Sequence, residues 1–277
     1  MTGKIPSENV VDVVDIKFGY GNREVLKGLS LTISRGKVVA ILGASGCGKT
    51  SLLGLIGGQL RPKRGHVKVD GQVVHRLSRD RLYLLRRRMG MMFQVSGLFS
   101  DLNVYENIAF PMREHTTLSE GLIRQLVLMK LNAVGLRGAY GMMPGDLSGG
   151  MSRRVALARA IAMDPMLAMY DEPFAGLDPI SLTVIADLIR RLNDSLGTTS
   201  IVVTYDVNEA LKVADHVYII GDGVLAGHGT PQEMRSSEDP FVRQFINAQP
   251  DGPISFHYPS RPIGVDLKLG KARHSLV

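Results

Sequence analysis

The stretch Val38–Ser51 constrains this chain more than any other. Val38 to Leu42 are apolar and partly β-branched, which suits a strand buried on both faces. Gly43-Ala44-Ser45-Gly46-Cys47-Gly48-Lys49-Thr50-Ser51 follows, and Leu52, Leu53, Leu55 and Ile56 then recur at helical spacing. A strand, a glycine turn and a helix opening on Lys-Thr is the setting of a phosphate cradle. Gly43, Gly46 and Gly48 let the backbone curl until successive N–H groups face one anion. The helix beginning near Lys49 adds its unpaired N–H groups and positive end. Lys49 is placed to reach β- and γ-phosphates, and Thr50 to offer its hydroxyl to Mg²⁺. The expected ligand is a nucleoside triphosphate.

A chain of 277 residues can bury a full α/β core. No apolar run reaches the roughly 18 residues of a membrane span, and Met1 to Val10 carries no apolar signal core. The single cysteine, Cys47, excludes an internal disulfide and fits a reducing compartment. The soluble cytoplasm is therefore the default expectation. The net charge of +7 fits a solvated basic surface, anionic lipid headgroups or nucleic acid. The visible cluster, Arg86-Arg87-Arg88, lies in a helical stretch from about Ser78. It has no aromatic interleaving or nucleic-acid motif, so nucleic acid is not an expected partner. A solvated face and contact with a membrane-bound partner both remain.

Along the chain, Val10–Phe18 and Val25–Ile33 read as a hairpin around Gly19-Tyr20-Gly21-Asn22. Tyr20 reads either as a ring that stacks on a nucleotide base or as a surface turn residue. His66–Val74 reads as two short strands about Asp70-Gly71. Met89–Phe93 reads as a buried strand ending at Gln94, whose amide reaches a metal-bound water or simply caps the strand. Residues 98–145 are helical in pattern, an inserted sub-domain. Ser148 in Leu147-Ser148-Gly149-Gly150-Met151 is a good N-cap, and the glycines leave a second helix start uncovered. Met166–Tyr170 closes on Asp171 and Glu172, carboxylates at the end of a buried strand. Asp171 suits Mg²⁺, and Glu172 suits a general base acting on water. A loop through Asp178 leads into a helix over Ile180–Leu196. Strands at Ser200–Thr204 and His216–Gly221, with a helix between them, complete the sheet. Asp222-Gly223 is a hairpin signal. His115, His216 and His228 are scattered, with no metal spacing. The proline-rich tail from Gln249 to Pro259 reads as disordered or as a strap on a partner chain.

The ordered set of Gly43–Thr50, Gln94, Leu147-Ser148-Gly149-Gly150-Met151, Asp171-Glu172 and Asp178 resembles the ATP-binding cassette (ABC) family over about residues 9–235. The fold this implies is α/β: a P-loop NTPase cassette with an antiparallel β sub-domain and a helical sub-domain inserted at about 98–165. The cassette is expected to span 1–240, with 241–277 as a C-terminal extension. By the resemblance, Gln94 senses Mg²⁺, Tyr20 stacks on adenine and Asp178 contacts the opposing subunit. Ser148, Gly149 and Gly150 serve the γ-phosphate of a second copy, because cassettes pair head to tail. ATP and Mg²⁺ are the expected cofactors, and the chain is expected to form a homodimer.

Arg81-Leu82-Tyr83, Leu98 to Val104, Arg113-Glu114-His115-Thr116, Leu131 to Gly138 and the tail Asp251 to Pro259 resemble more narrowly the ATPase subunits of the Mla phospholipid transport systems of Gram-negative bacteria. That resemblance implies a membrane permease, a lipid-binding MCE-domain protein and a cytoplasmic STAS-domain protein as partners. It also implies a peripheral place on the cytoplasmic face of the inner membrane, and makes the tail a strap across the dimer. One position departs from the ABC pattern: Tyr205 stands where the family places a histidine touching the γ-phosphate. ATP binding with reduced turnover is the expectation, since a phenol does not position water as imidazole does. Three other readings stand beside this one: a cassette serving another cargo, a soluble ABC protein, and an ATP-gated clamp that does not hydrolyse.

Overall fold

The computed structural model describes residues 8–254 and 263–267. The chain divides into two compact units, Met1–Ser236 and Ser237–Val277. In the first, β1 (Asn9–Tyr20) and β2 (Arg23–Ser34) form a hairpin whose closing pair is Tyr20 with Arg23. β4 (Arg64–Val69) joins β1 antiparallel and β5 (Gln72–Val73) ends that sheet, giving the order β2-β1-β4-β5, while β3 (Val38–Gly43) belongs to a second sheet.

That second sheet adds β6 (Met89–Met92), β7 (Leu167–Asp171), β8 (Thr199–Thr204), β9 (His216–Gly221) and β10 (Val224–Gly229), in the order β10-β9-β3-β8-β7-β6. Neighbours are parallel from β9 to β6, and β10 returns antiparallel through the Asp222-Gly223 turn. β3, β7 and β8 are buried at every residue, which accounts for their continuous apolar runs. Alternation still sorts their side chains between the two faces. Val39, Ile41, Leu167, Met169, Ile201 and Val203 pack toward β1, β2 and α1 (Lys49–Ile56). Val38, Ala168, Tyr170 and Val202 pack toward the helical side. The parallel register brings Gly43, Asp171, Thr204 and Met92 to the same carboxyl edge of the sheet.

The helices carry their own start signals. α2 (Arg79–Arg86) is capped by Ser78, α3 (Val104–His115) by Asn103, and α4 (Glu120–Ala133) by Ser119. α5 (Gly149–Ala160) is capped by Ser148, α6 (Pro179–Leu196) by Asp178, and α7 (Val207–Val213) by Asp206. α8 (Pro231–Arg235), absent from the sequence reading, is set by a capping box between Thr230 and Glu233. Buried Asn107 on α3 bonds the N–H of Phe99 (2.8 Å) and the carbonyls of Phe99 (3.1 Å) and Leu102 (2.8 Å), fixing the loop that follows Gln94.

Two expectations are corrected. The strand read through Phe93 ends at Met92. It is the sheet edge rather than a buried strand, so Met89 and Met91 are half-buried and Phe93 is exposed. His216 and His228 are not scattered: β9 and β10 bring their rings to 5.6 Å, with Tyr218 against both. Among the described residues no group of histidine, cysteine or carboxylate side chains is arranged to hold a metal.

In the second unit, Asp239 caps α9 (Pro240–Ile246) by accepting from the N–H groups of Phe241 and Val242. Gln244 accepts from the N–H of Ile254 (2.6 Å) and donates to its carbonyl (2.9 Å), folding that segment back on α9. α10 (Ile263–Asp266) is one short turn. The strap expected from 241–277 falls in large part on 255–262 and 268–277, outside the described residues.

Candidate functional site

A cleft of about 400 Å³ opens at the carboxyl edge of the sheet. It is lined by Tyr20, Arg23 and Val25 from the hairpin, by Ser45, Gly46, Gly48, Lys49, Thr50 and Ser51 from the glycine turn and α1, and by Gln94, Glu172 and Tyr205. Its size is that of a small-molecule site. From α2 to α9 every helix has its N-terminus bonded by a capping side chain, whereas α1 begins at Gly48 with none. The first N–H groups of α1 are therefore left for an anion. Gly48 has φ of 108°, and a Cβ there would lie 2.7 Å from Leu26 Cδ2 and 2.9 Å from Val25 Cγ1. Only glycine combines that backbone with that close approach.

Lys49 is buried, and its Nζ donates to the carbonyls of Gly43 (2.7 Å) and Ala44 (3.2 Å) while lying 3.6 Å from Glu172 Oε1. Ala44 and Cys47 complete the turn, with Cys47 N–H on the Ala44 carbonyl at 3.3 Å. Burial pushes the Cys47 thiol up, against the charge of Lys49. Tyr20 is 57% exposed, stands edge-on to Phe18, and places its hydroxyl 3.3 Å from Ser51 Oγ.

Asp171 ends β7, and Thr50 Oγ1 donates to its Oδ1 at 3.2 Å. Burial raises the Asp171 pKa, with the Thr50 bond and the Lys49 charge opposing. Glu172 has φ of 48°, a left-handed conformation costing roughly 1–2 kcal/mol for a side-chain-bearing residue. Its N–H bonds the Val203 carbonyl at 2.8 Å, and its Oε2 accepts from the N–H of Tyr205 at 3.3 Å. Burial raises the Glu172 pKa; Lys49, Thr204 and the Tyr205 N–H act the other way. Thr50, Asp171 and the Gln94 amide offer hard oxygen donors, the set that suits Mg²⁺ rather than a softer metal.

The remaining expected site residues lie elsewhere. Ser148, Gly149, Gly150 and Asp178 do not line the cleft. Ser148 Oγ accepts from the N–H of Met151 at 3.2 Å, starting α5. Asp178 accepts from the N–H groups of Ile180 and Ser181, both at 3.0 Å, and bonding with Ser181 holds its carboxyl below the usual range. A Cβ on Gly150 would meet Ser181 Oγ at 2.8 Å, so the starts of α5 and α6 touch. Gly149 has open space around it in the single chain.

Sequence reasoning missed Arg23, Val25 and Arg153. Tyr20 and Arg23 close the β1–β2 hairpin, and Val25 follows on the same face of β2, so the two-residue turn was the available signal. Arg153 donates to the carbonyls of Glu172 and Ala175, a long-range contact with no local signature.

The ABC transporter family model matches residues 26–175. The chain is 53% identical to the intermembrane phospholipid transport system ATP-binding protein MlaF of Haemophilus influenzae, over 92% of this chain and 97% of that one. Identity to MlaF of Escherichia coli K12 is 51%, over 95% and 97%. The probable ribonucleotide transport ATP-binding protein mkl of Mycobacterium leprae is 38% identical, over 91% of this chain and 73% of that one. Among solved structures, cbiO1 of Clostridium perfringens, part of the ABC transporter complex cbiONQ, superposes with a TM-score of 0.77 at 30% identity, over 88% and 96% of the two chains. The dimeric ATP-binding cassette MJ0796 bound to ADP and Pi gives 0.73 at 30% identity, over 80% and 98%. The chain belongs to the ABC transporter family.

Proposed function

We propose that this chain is the ATP-hydrolysing subunit of a transporter that moves phospholipid between the inner and outer membranes of a Gram-negative cell. One observation carries the cargo: identity of 51–53% runs through nearly the whole of relatives named for that transport. The enzymology rests on the cleft. Tyr20 stacks on the base beside Val25, and the start of α1 with Lys49 holds the β- and γ-phosphates. Thr50, Asp171 and Gln94 would hold Mg²⁺, which supplies charge neutralisation on the transferring phosphoryl oxygens. Glu172, pushed toward a higher pKa by burial, polarises the attacking water as general base.

Ten of the eighteen expected residues line the cleft; Gly43, Ala44 and Cys47 of the turn and Asp171 at the end of β7 do not, and neither do Ser148, Gly149, Gly150 and Asp178. In this reading a second copy supplies the last four, so ATP lies between two chains and its hydrolysis lets them part. Among the described residues no helix is long and apolar enough to cross a membrane. In this reading the chain is attached to the cytoplasmic face of the inner membrane through partners: a permease, with an MCE-domain lipid-binding protein and a STAS-domain protein.

The test is purification of the tagged chain from detergent-solubilised membranes of its source cell. A co-purifying multi-span permease and ATPase activity stimulated by phospholipid are expected. Recovery as a soluble dimer with no membrane protein would refute the transporter reading. A permease whose ATPase responds to another cargo would refute only the phospholipid assignment.

A further inference from the structure

Arg153 lies three residues beyond Gly150 on α5, on the same helix face. Its Nη1 donates to the Glu172 carbonyl at 3.1 Å and its Nη2 to the Ala175 carbonyl at 2.9 Å. The planar fork thus spans the turn from Glu172 to Ala175, whose first residue holds the positive φ. One turn earlier, Gly150 abuts Ser181 just beyond Asp178. From the other end of α5, Arg159 donates to the Ser96 carbonyl at 3.2 Å, two residues past Gln94. The helix that begins at Ser148–Gly150 therefore grips the loops carrying Glu172 and Gln94 of its own chain. Arg153 itself does not line the cleft.

We propose that Arg153 is a positioning residue that couples the two nucleotide sites of a dimer. When the partner's γ-phosphate seats on Ser148–Gly150, the shift of α5 passes through the guanidinium to the Glu172–Ala175 backbone. That sets the Glu172 carboxylate against the nucleotide held by its own copy. The proposal rests on the two-copy reading of the site. Two carbonyls fixed by one rigid fork transmit a displacement that a flexible amine or a single amide would absorb.

The experiment compares Arg153→Gln and Arg153→Lys with the unaltered full-length chain, by equilibrium ATP binding, by ATPase rate against ATP concentration, and by thermal melting. ATP affinity of the single chain is expected to stay within about twofold, because Arg153 lies outside the cleft. The kcat of Arg153→Gln falls roughly 10- to 100-fold, as for loss of charge-assisted bonds. Its Hill coefficient for ATP drops toward unity, and Arg153→Lys recovers part of the rate. A merely structural role would lower the melting temperature and the active fraction together without changing cooperativity. If Arg153→Gln does not fold, Arg153→Lys carries the same comparison. An unchanged kcat overturns the proposal, as does a reduced kcat with unaltered cooperativity. A Glu172→Gln chain that stays monomeric in ATP shows instead that the two-copy reading beneath it has failed.

Discussion

Glu172 and Tyr205 meet at the end of the cleft, and their chemistry sets what the site does with ATP. Burial raises the Glu172 pKa, so the carboxylate we propose as general base is lost on acidification at a higher pH than for an ordinary glutamate. The acid limb of kcat/KM, which reports the free chain, should therefore lie above the usual range near 4.5, measured as rate against pH at ATP well below KM. Stability runs the opposite way. A carboxyl whose folded pKa is raised holds its proton more tightly when folded; its contribution is present at low pH and lost as pH rises through the folded value. Glu172→Gln removes that burden, so at pH 7 it should abolish hydrolysis while raising the melting temperature by about 2–4 °C per kcal/mol recovered. A fall in melting temperature would mean that the 3.6 Å pairing with Lys49 outweighs desolvation. Tyr205 gives Glu172 its backbone N–H, but its side chain is 52% exposed and is a phenol. A neutral imidazole donates from one nitrogen and accepts at another, whereas the phenol places both functions on one oxygen at the end of a longer side chain. Tyr205→His should raise kcat by about 10²–10³, equivalent to roughly 2–4 kcal/mol of barrier, with ATP affinity little changed. Equal steady-state rates would sink this account.

At the scale of elements, the sheet was legible because burial on two faces writes itself as uninterrupted apolar runs in β3, β7 and β8. The site residues at their ends were legible for the same reason: each sits where such a run stops. β6 misled because its apolar residues belong to an edge strand, which periodicity does not distinguish from a central one. α8 was missed because five residues are too few to show a helical period, though Thr230 and Glu233 spelled its cap. His216 and His228 looked scattered because strand pairing, not spacing, brings them together across a hairpin with a register shift. The glycines of the α5 start separate packing within the chain, at Gly150, from the packing between chains proposed at Gly149. Gly150→Ala should lower the melting temperature by an amount equal to about 1–3 kcal/mol, since its Cβ meets Ser181, and Ser181→Gly should relieve it. Gly149→Ala has open space and gains helix propensity, so the melting temperature should hold or rise while ATPase activity falls. Loss of stability at Gly149 equal to that at Gly150 would contradict this division.

At the scale of the whole molecule, the proposed pairing of two copies needs something to bring them together. Each carries a formal net charge of +7, so bare chains repel one another at low ionic strength. In the proposed two-copy site ATP reverses the balance locally, because its phosphates would present negative charge to both the α1 start of one copy and the α5 start of the other. A ligand that bridges two surfaces stabilises only the paired state beyond what it gives each single chain. With two such ligands in each proposed pair, the apparent association constant should rise as about the square of ATP concentration while single chains are unsaturated. It should then level off once every cleft is filled. ADP, lacking the γ-phosphate proposed to reach Ser148–Gly150, should leave the chain near its single-copy mass of 30.2 kDa. Glu172→Gln keeps Lys49 and the α1 start and removes the proposed base, so the pair should persist long enough for sedimentation analysis. The expected result is a doubled mass in ATP with Mg²⁺ and the single-copy mass in ADP. Pairing of equal strength in ADP would place the association on protein surface alone and remove ATP as the bridge.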